Sequence, residues 1–461
     1  MKNLKLILIF SLFINLAFGQ TKPKYYTGMN FDDAKYKATL QKAPLTRELY
    51  STLPKSASLK KYAPTPKTQG SYGTCVGWST CYCAMTIIDN MKSNSTDITA
   101  NTDNAYSPTF VYVHVKQEGD ADCKYGTYID QALTYLKNNG DVKYSDMSLD
   151  CPTEFEDELY KKAKQHRIKD FAKLFDVDDG SNFKISSVKK SLAEKKPVVI
   201  GFNLPESFYE AKSCWTPTEN SASAGGHAMC VIGYDDEKYG GAFEFQNSWG
   251  NTWGNEGYMW VKYDDFATYT KYAFEMIDQA SFINTENDLS GKVKFQLASG
   301  KEMKATLSGT NYLMNDSYKS GTKFRLYLSN NEPAFVYAIG SDLSNKCGLV
   351  FPHKAGISPA LTYQANDVAL PDEDHYIEMD NTEGTDFLCV LYAKNTIDIN
   401  GVIAAMGKAT GTFEQRIKQV LATDLVSPAN IKFSANGEMG FTASSKGKNV
   451  VALIVETKHI K

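Results

Sequence analysis

Two residues that could carry chemistry, Gln69 and Cys75, lie just before and at the start of an apolar segment. Cys75 opens a segment with helical apolar spacing in Gln-Gly-Ser-Tyr-Gly-Thr-Cys-Val-Gly-Trp-Ser. A helix start has unsatisfied N–H groups and a partial positive charge, and both favour the nucleophilic thiolate. Gln69 lies just upstream, across a turn that Gly70 and Gly73 permit. Its side-chain amide and the Cys75 N–H would together form a two-donor oxyanion hole.

A second group of candidates follows in the later part of the chain. His227 begins the apolar segment His-Ala-Met-Cys-Val-Ile-Gly-Tyr, which predicts a buried strand that can bring imidazole to thiol. Asn247 ends a later strand and can accept the second imidazole N–H, which fixes the tautomer. Trp249 would shield that hydrogen bond from water. The residues before the histidine are small and predict an open substrate-binding pocket: Ala224, Gly225 and Gly226.

Apolar periodicity places these residues on an α+β framework with two lobes. It predicts helices over 75–91, 127–138 and 188–195, and then strands over 197–202, 228–234, 241–247 and 257–263. A polar linker is expected at 284–290. Beyond it, alternating apolar residues predict a mostly β domain over 291–461, a sandwich or similar, interrupted by one helix near 413–421.

Composition and the N-terminus bound the function classes. The chain has 461 residues, 42% of them apolar and 22% charged, and a net charge of −3. It contains only four arginines, the preferred residue for phosphate contacts, so nucleic acid is not an expected partner. Two lysines, a short apolar run and a small-x-small end predict a signal segment over 1–19 and an exported protein. The run is too short for a membrane-spanning helix, the alternative interpretation, and no later stretch is long enough.

Export affects how the nine cysteines are interpreted. Cys123 and Cys151 flank the second helix and are expected to form a disulfide. A pairing of Cys347 with Cys389 is left open, and so are the partners of Cys81, Cys83 and Cys214. An odd count leaves at least one free thiol, a candidate nucleophile. No cysteine or histidine pattern has zinc-like spacing, so neither a metal nor a cofactor is expected.

Three segments resemble the papain family of cysteine peptidases in order and in flanking residues: those around Gln69 and Cys75, around His227, and around Asn247-Ser-Trp-Gly. The resemblance implies an oxyanion donor at Gln69, a nucleophile at Cys75, a base at His227, an orienting residue at Asn247 and support from Trp249. It extends over about residues 53–283 and implies a catalytic domain with a helical lobe and a β-barrel-like lobe.

This sequence departs from the family pattern at two positions. Tyr72 stands where the family usually has a disulfide cysteine, and Val76 stands where it usually has tryptophan. Residues 20–52, an N-terminal extension, show no long helical pro-region. Residues 291–461 resemble an uncharacterised β-rich module of exported bacterial proteins, which is expected to bind another protein or a surface component.

The expected function is hydrolysis of a protein or peptide substrate through a Cys-His-Asn thiolate mechanism. Two alternatives are kept. One is a catalytically silent papain-fold binding or scaffold protein. The other is an acyl or amide transferase of the transglutaminase type, which has the same order of Cys and His. The expected localisation is periplasmic or extracellular.

Overall fold

The computed structural model describes residues 25–149, 151–152, 154–219, 225–278, 286–342 and 346–461. The predicted signal segment and Ala224 lie outside the described residues. Within the described ranges, no helix is long and apolar enough to cross a membrane.

The N-terminal extension is part of the folded body. Its elements are α1 (Asp33–Ala38), β1 (Gln41–Lys42) and α2 (Arg47–Ser51). Asp32 caps α1, because its carboxylate accepts hydrogen bonds from the N–H groups of Ala34 and Lys35. Strand β2 (Ser56–Ser58) follows.

The helical lobe forms around the segment that begins at Cys75. As predicted, this segment stays helical to Lys92, but Trp78–Met85 winds as a π-helix. The Thr86 hydroxyl donates to the Cys81 carbonyl within this wider winding. The predicted Cys123–Cys151 disulfide is present and ties two loops of the lobe. The helices are α3 (Cys75–Gly77), α4 (Thr86–Lys92), α5 (Ile98–Asp103), α6 (Pro108–Val115), α7 (Ile129–Asn138) and α8 (Asp157–Ala163).

The second lobe is a sheet with fully buried central strands, as the apolar runs predict. Its elements are β3 (Asp170–Lys173), α9 (Ser181–Ala193), β4 (Val198–Asn203), β5 (Cys214–Trp215), β6 (Gly226–Asp235), β7 (Ala242–Gln246), β8 (Tyr258–Lys262), α10 (Tyr263–Tyr269) and β9 (Thr270–Ile277). The strand order is β3-β9-β4-β6-β7-β8-β5, and β2 pairs with β6. The helix predicted over 188–195 begins earlier, at Ser181.

The C-terminal domain is a sandwich of two sheets, as expected. The first contains β10 (Leu289–Leu297), β11 (Glu302–Met303), β14 (Lys323–Asn330), β19 (Asn366–Leu370), β20 (Ile377–Glu378), β22 (Ile431–Phe433) and β23 (Met439–Ala443). The second contains β12 (Ala305–Ser308), β13 (Asn311–Lys319), β15 (Ala334–Ser341), β16 (Cys347–Phe351), β18 (Ala360–Leu361), β21 (Gly384–Ala393) and β24 (Val450–Ile460). Val336 and Ala338 face the shared core, whereas Phe335, Tyr337 and Ile339 face the helices α11 (Ile399–Met406) and α12 (Phe413–Leu421).

Several expectations for this domain need correction. Helix α11 was not predicted, because it contains a glycine and fully buries only Met406. Strand β10 begins at Leu289, inside the expected linker. Cys389 is a buried free thiol, so the pairing with Cys347 that the sequence left open is not formed.

The two domains meet at β1. Gln41–Lys42 lies between β3 of the second lobe and β17 (Ile357–Ser358) of the C-terminal domain, parallel to both. Lys42 Nζ lies 2.6 Å from Glu275 Oε1, and both side chains are buried. Tyr363 of the C-terminal domain donates its hydroxyl to Glu275 Oε2 at 2.8 Å, and its ring lies 3.5 Å below the ammonium. The N-terminal segment is thereby anchored to both domains.

Candidate active site

Cys75 is the first residue of α3 and is fully buried. Its Sγ accepts a hydrogen bond from the backbone N–H of Ala228 at 3.5 Å. Because Ala228 follows His227 in β6, this contact brings the helix start to the strand start, as the sequence predicts.

The imidazole of His227 is held by Asn247. His227 Nε2 lies 2.7 Å from Asn247 Oδ1, and the same oxygen accepts the backbone N–H of Ser248 at 2.7 Å. An amide oxygen can only accept, so Nε2 carries the proton and Nδ1 is the basic nitrogen. Nδ1 has no hydrogen-bond partner among the described residues. Trp249 stacks on the imidazole, with ring centroids 4.7 Å apart.

Gln69 is joined to the same loop. Its Oε1 accepts the Ser248 hydroxyl at 2.6 Å, and its backbone N–H donates to the Ser248 carbonyl at 2.9 Å. Its Nε2 donates one hydrogen to the Tyr72 carbonyl at 2.8 Å, which leaves the second hydrogen available. Ser248 thus orients Gln69 with its side chain and Asn247 with its N–H. No role was predicted for Ser248, although it lies between Asn247 and Trp249, which both have predicted roles.

The turn between Gln69 and Cys75 depends on its glycines. Gly70 has a φ of +62°, which a side chain rarely adopts. A Cβ at Gly73 would lie 2.7 Å from the Lys124 carbonyl oxygen. These constraints explain why the approach to the nucleophile carries glycine at both positions.

Residues 25–31, here called the covering segment, lie over Cys75. Thr127 donates its N–H to the Gly28 carbonyl and accepts the Asn30 N–H, both at 2.9 Å. On the strand side, Met29 donates its N–H to the Gly226 carbonyl at 3.3 Å. A Cβ at Gly226 would lie 2.2 Å from the Met29 carbonyl oxygen. Gly226 therefore lines the cleft and accepts a backbone N–H of the bound segment.

The left-handed Gly225, with a φ of +111°, precedes this contact in the predicted pocket. A Cβ built on it would meet no atom of the described residues within 4 Å.

Burial determines the favoured protonation of the pair, and the covering segment, whose Gly28 N–H contacts Cys75, is part of what buries it. Burial raises the pKa of Cys75 to about 12, although the N–H groups of Ala228 and Gly28 act in the opposite direction. It lowers the pKa of His227 to about 4, against the hydrogen bond to Asn247. Thiol and neutral imidazole are therefore the favoured forms in this closed arrangement, and the thiolate expected at the helix start is not.

No group of three or more His, Cys, Asp or Glu side chains in the described parts of the chain could hold a metal ion.

Comparison with known proteins identifies the domain that carries this site. Residues 53–277 match the profile of the papain family cysteine proteases. The chain contains a papain-family cysteine peptidase domain, as the motifs indicated.

Individual relatives are similar over parts of the chain. A peptidase C1-like protein of Acanthamoeba polyphaga mimivirus is 34% identical over 113 residues, which is 23% of this chain and 34% of that protein. A cathepsin L-like peptidase of Aedes aegypti is 27% identical over 214 residues, which is 43% of this chain and 56% of that protein. The chain thus spans between about a third and just over half of these relatives' lengths. The crystal structure of xylellain, a cysteine protease from Xylella fastidiosa, aligns over 55% of this chain and 96% of its own, at 21% identity and a TM-score of 0.45.

Proposed function

We propose that this chain is an exported papain-type cysteine peptidase that hydrolyses peptide bonds of a protein or peptide substrate. One observation carries the proposal. The loop containing Asn247 and Ser248 orients both the imidazole of His227 and the amide of Gln69, and Cys75 Sγ accepts the backbone N–H of Ala228, the residue after His227. A buried core histidine would not need this shared arrangement.

In the proposed first step, His227 Nδ1 takes the proton from Cys75 Sγ, and the sulfur attacks the scissile carbonyl carbon. The carbonyl oxygen gains a negative charge and accepts two hydrogen bonds, from the Cys75 N–H and from the second hydrogen of Gln69 Nε2. Collapse of this intermediate breaks the C–N bond. The imidazolium donates its proton to the departing amine, and a thioester remains on Cys75.

In the second step, neutral His227 takes a proton from water, and the resulting hydroxide attacks the thioester carbon. The same oxyanion donors serve again. The carboxylic acid leaves, and Sγ recovers its proton. Asn247 keeps Nε2–H as the donor through both steps, so Nδ1 is always the nitrogen that exchanges protons. Trp249 keeps water away from that hydrogen bond.

A substrate must first displace the covering segment. Met29 donates its backbone N–H to the Gly226 carbonyl, and we propose that a substrate N–H takes the same bond, with Gly225 providing room beside it. The structure then corresponds to a latent form of the enzyme, without a helical pro-region. Release of residues 25–31 is the activation step that this proposal requires.

The proposed export rests on the predicted signal segment and on the Cys123–Cys151 disulfide, a bond typical of oxidising compartments. Residues 291–461 are proposed to bind another protein or a surface component.

The test is covalent labelling of the purified full-length protein with an epoxide that alkylates activated thiolates, followed by peptide mass analysis. We expect labelling of Cys75 alone among the cysteines, lost in Cys75→Ala and strongly reduced in His227→Ala. Cys214, a partly exposed free thiol, is the internal control for general reactivity. Equal labelling of Cys75 and Cys214 would contradict an activated nucleophile.

Product analysis then separates the alternatives. Release of two peptides with incorporation of ¹⁸O from labelled water at the new carboxylate supports hydrolysis. Incorporation of an added amine instead would indicate an amide transferase. A protein that stays unlabelled and inactive after removal of residues 25–31 would be a silent scaffold.

A further inference from the structure

Beside the catalytic residues, the cleft holds a flat aromatic surface that the covering segment occupies with a tyrosine ring. Tyr25 stacks on Trp249 with ring centroids 4.9 Å apart and planes within 13°. Tyr209 stacks on the same indole at 5.1 Å and 15°. Tyr25 and Tyr209 are themselves nearly parallel, at 6.4 Å and 6°. The rings of Tyr25, Tyr209 and Trp249 are therefore nearly parallel and in mutual contact.

The neighbouring backbone is held as well. Trp249 donates its Nε1–H to the Tyr26 carbonyl at 2.9 Å. A peptide bound here thus gains one backbone hydrogen bond and one ring contact. Ring stacking does not depend on the direction of the peptide chain. The Tyr25 ring therefore indicates which kind of side chain the surface accepts, even if a substrate binds in the opposite direction to the covering segment.

This surface lies on the leaving-group side of the reaction. In the proposed mechanism the departing amine takes its proton from His227, so the chain beyond the scissile bond must pass that imidazole. Trp249 lies directly against the imidazole. Met29 and Asn30, further along the covering segment, make different contacts, with Gly226 and Thr127.

Tyr209 is positioned by residues that the covering segment does not supply. It lies in a short 3₁₀ helix, Glu206–Glu210, and its carbonyl accepts the Trp253 Nε1–H at 3.1 Å. Trp253 packs edge-on against Trp249 at 5.1 Å, and Phe208 packs against Trp253 at 5.3 Å. The surface is therefore built in advance and should persist when Tyr25 leaves.

We propose that Tyr209 and Trp249 form a subsite that selects substrates with an aromatic side chain among the first residues after the scissile bond. This inference rests on the proposed peptidase function and names its substrate class. The bound ring lies 4.9 Å from Trp249 and 6.4 Å from Tyr209. Tyr209 is the residue whose substitution tests the preference, because Trp249 also supports the imidazole. An aromatic side chain should be favoured about two- to tenfold over an aliphatic one of similar size, the range typical of stacked pairs.

The test is cleavage of a proteome-derived peptide mixture by full-length protein, wild type and Tyr25→Ala, with the cut positions read by mass spectrometry. We expect Tyr, Phe and Trp to be enriched in the first two positions after the cut. One cleaved peptide is then synthesised with Tyr or Leu at the enriched position, and kcat/KM is compared. Tyr209→Ala should lower the Tyr-to-Leu ratio, with the Trp249 contribution remaining, whereas Tyr209→Phe should keep the ratio. Tyr239→Ala, at an exposed tyrosine of the same lobe, is the matched control and should keep the wild-type ratio.

The two proposals fail in different ways. Cleavage by all variants without aromatic enrichment, or an unchanged ratio in Tyr209→Ala, overturns the subsite and leaves the peptidase standing. Absence of cleavage by every variant, together with no selective alkylation of Cys75, overturns the peptidase function and the subsite with it.

Discussion

Acid should release the covering segment from the cleft, because the closed state keeps His227 neutral. The pKa of His227 is about 4 when the segment covers it, against an ordinary value of 6.5. Above about pH 6.5 the imidazole is neutral in both states, and closure is unaffected. As the pH falls below 6.5 the open state gains a proton that the closed state resists, so closure weakens until about pH 4. At pH 5 the two pKa values correspond to about 2 kcal/mol, or about 30-fold in favour of opening.

Alkali should act in the same direction through Cys75. The pKa of its thiol is about 12 in the closed state, against an ordinary value of 9.0. Above about pH 9 the exposed thiol ionises first, which again favours the open state. Closure should therefore be most stable between about pH 6.5 and pH 9.

Hydrogen exchange of the Met29 and Asn30 amides measures this opening directly, since both donate hydrogen bonds only while the segment is bound. Their protection, corrected for the intrinsic exchange rate, should fall about 30-fold between pH 8 and pH 5. The amide of Val390, in the core of the C-terminal domain, reports on global unfolding and should keep its protection.

His227→Gln is the matched control, because the variant keeps a side chain of similar polarity that does not titrate. Burial raises the pKa of Asp130, in the helix after Thr127, and this carboxyl is present in both proteins. A wild-type protection unchanged at pH 5, or an equal fall in His227→Gln, would refute the assignment of the effect to His227.

Three further outcomes are expected. Ser248→Ala should lower kcat by about tenfold with little change in KM, because Gln69 loses the hydroxyl that orients it, and Ser248→Thr should recover part of the loss. Gly28→Ala places a Cβ 2.0 Å from a backbone carbonyl oxygen, so it should raise the rate at which the nucleophile is alkylated. Lys42→Met should lower the free energy of unfolding by roughly 3–5 kcal/mol in denaturant titrations, since it leaves Glu275 charged and buried. Adding Glu275→Gln to that variant should recover much of the loss.

The sequence predicts those parts of the fold and the site that depend on residues close together in the chain. Cys75 and His227 each begin an apolar segment, and the buried strands around β6 are continuous apolar runs. The role of Ser248 was missed because it depends on Gln69, which is distant in sequence. The π-helix after Cys75 was missed because apolar spacing does not distinguish it from α-helical winding.

The covering segment was missed for a related reason. Its contacts join Gly28 to Gly73 and Gly126: a Cβ on Gly28 would collide with the backbone of Gly73, and one on Gly126 would collide with the backbone of Gly28. Contacts between backbones leave no apolar period in the sequence, so residues 25–31 read as an unstructured extension. In the sequence these contacts correspond only to glycines at three separate positions, Gly28, Gly73 and Gly126. Nothing in the sequence shows that these three positions lie together in the fold.

The covering segment can leave the site while the rest of the N-terminal region stays bound, because β1 is anchored separately. Between the covering segment and β1 lies α1, and β1 is fixed by the buried pair of Lys42 and Glu275 and by Tyr363 of the C-terminal domain. The other hydrogen-bond partners of that pair are Thr362, Ser191 and Tyr363, none of which contacts His227, so protonation of His227 should not disturb it. The segment can then leave Cys75 while β1 stays paired on both sides. A tether this short keeps the segment at high effective concentration, so closure should return when the pH is restored. If the closed arrangement is the latent form proposed above, holding this anchor is the contribution of the C-terminal domain to latency, and Lys42→Met should make the opened state harder to reverse.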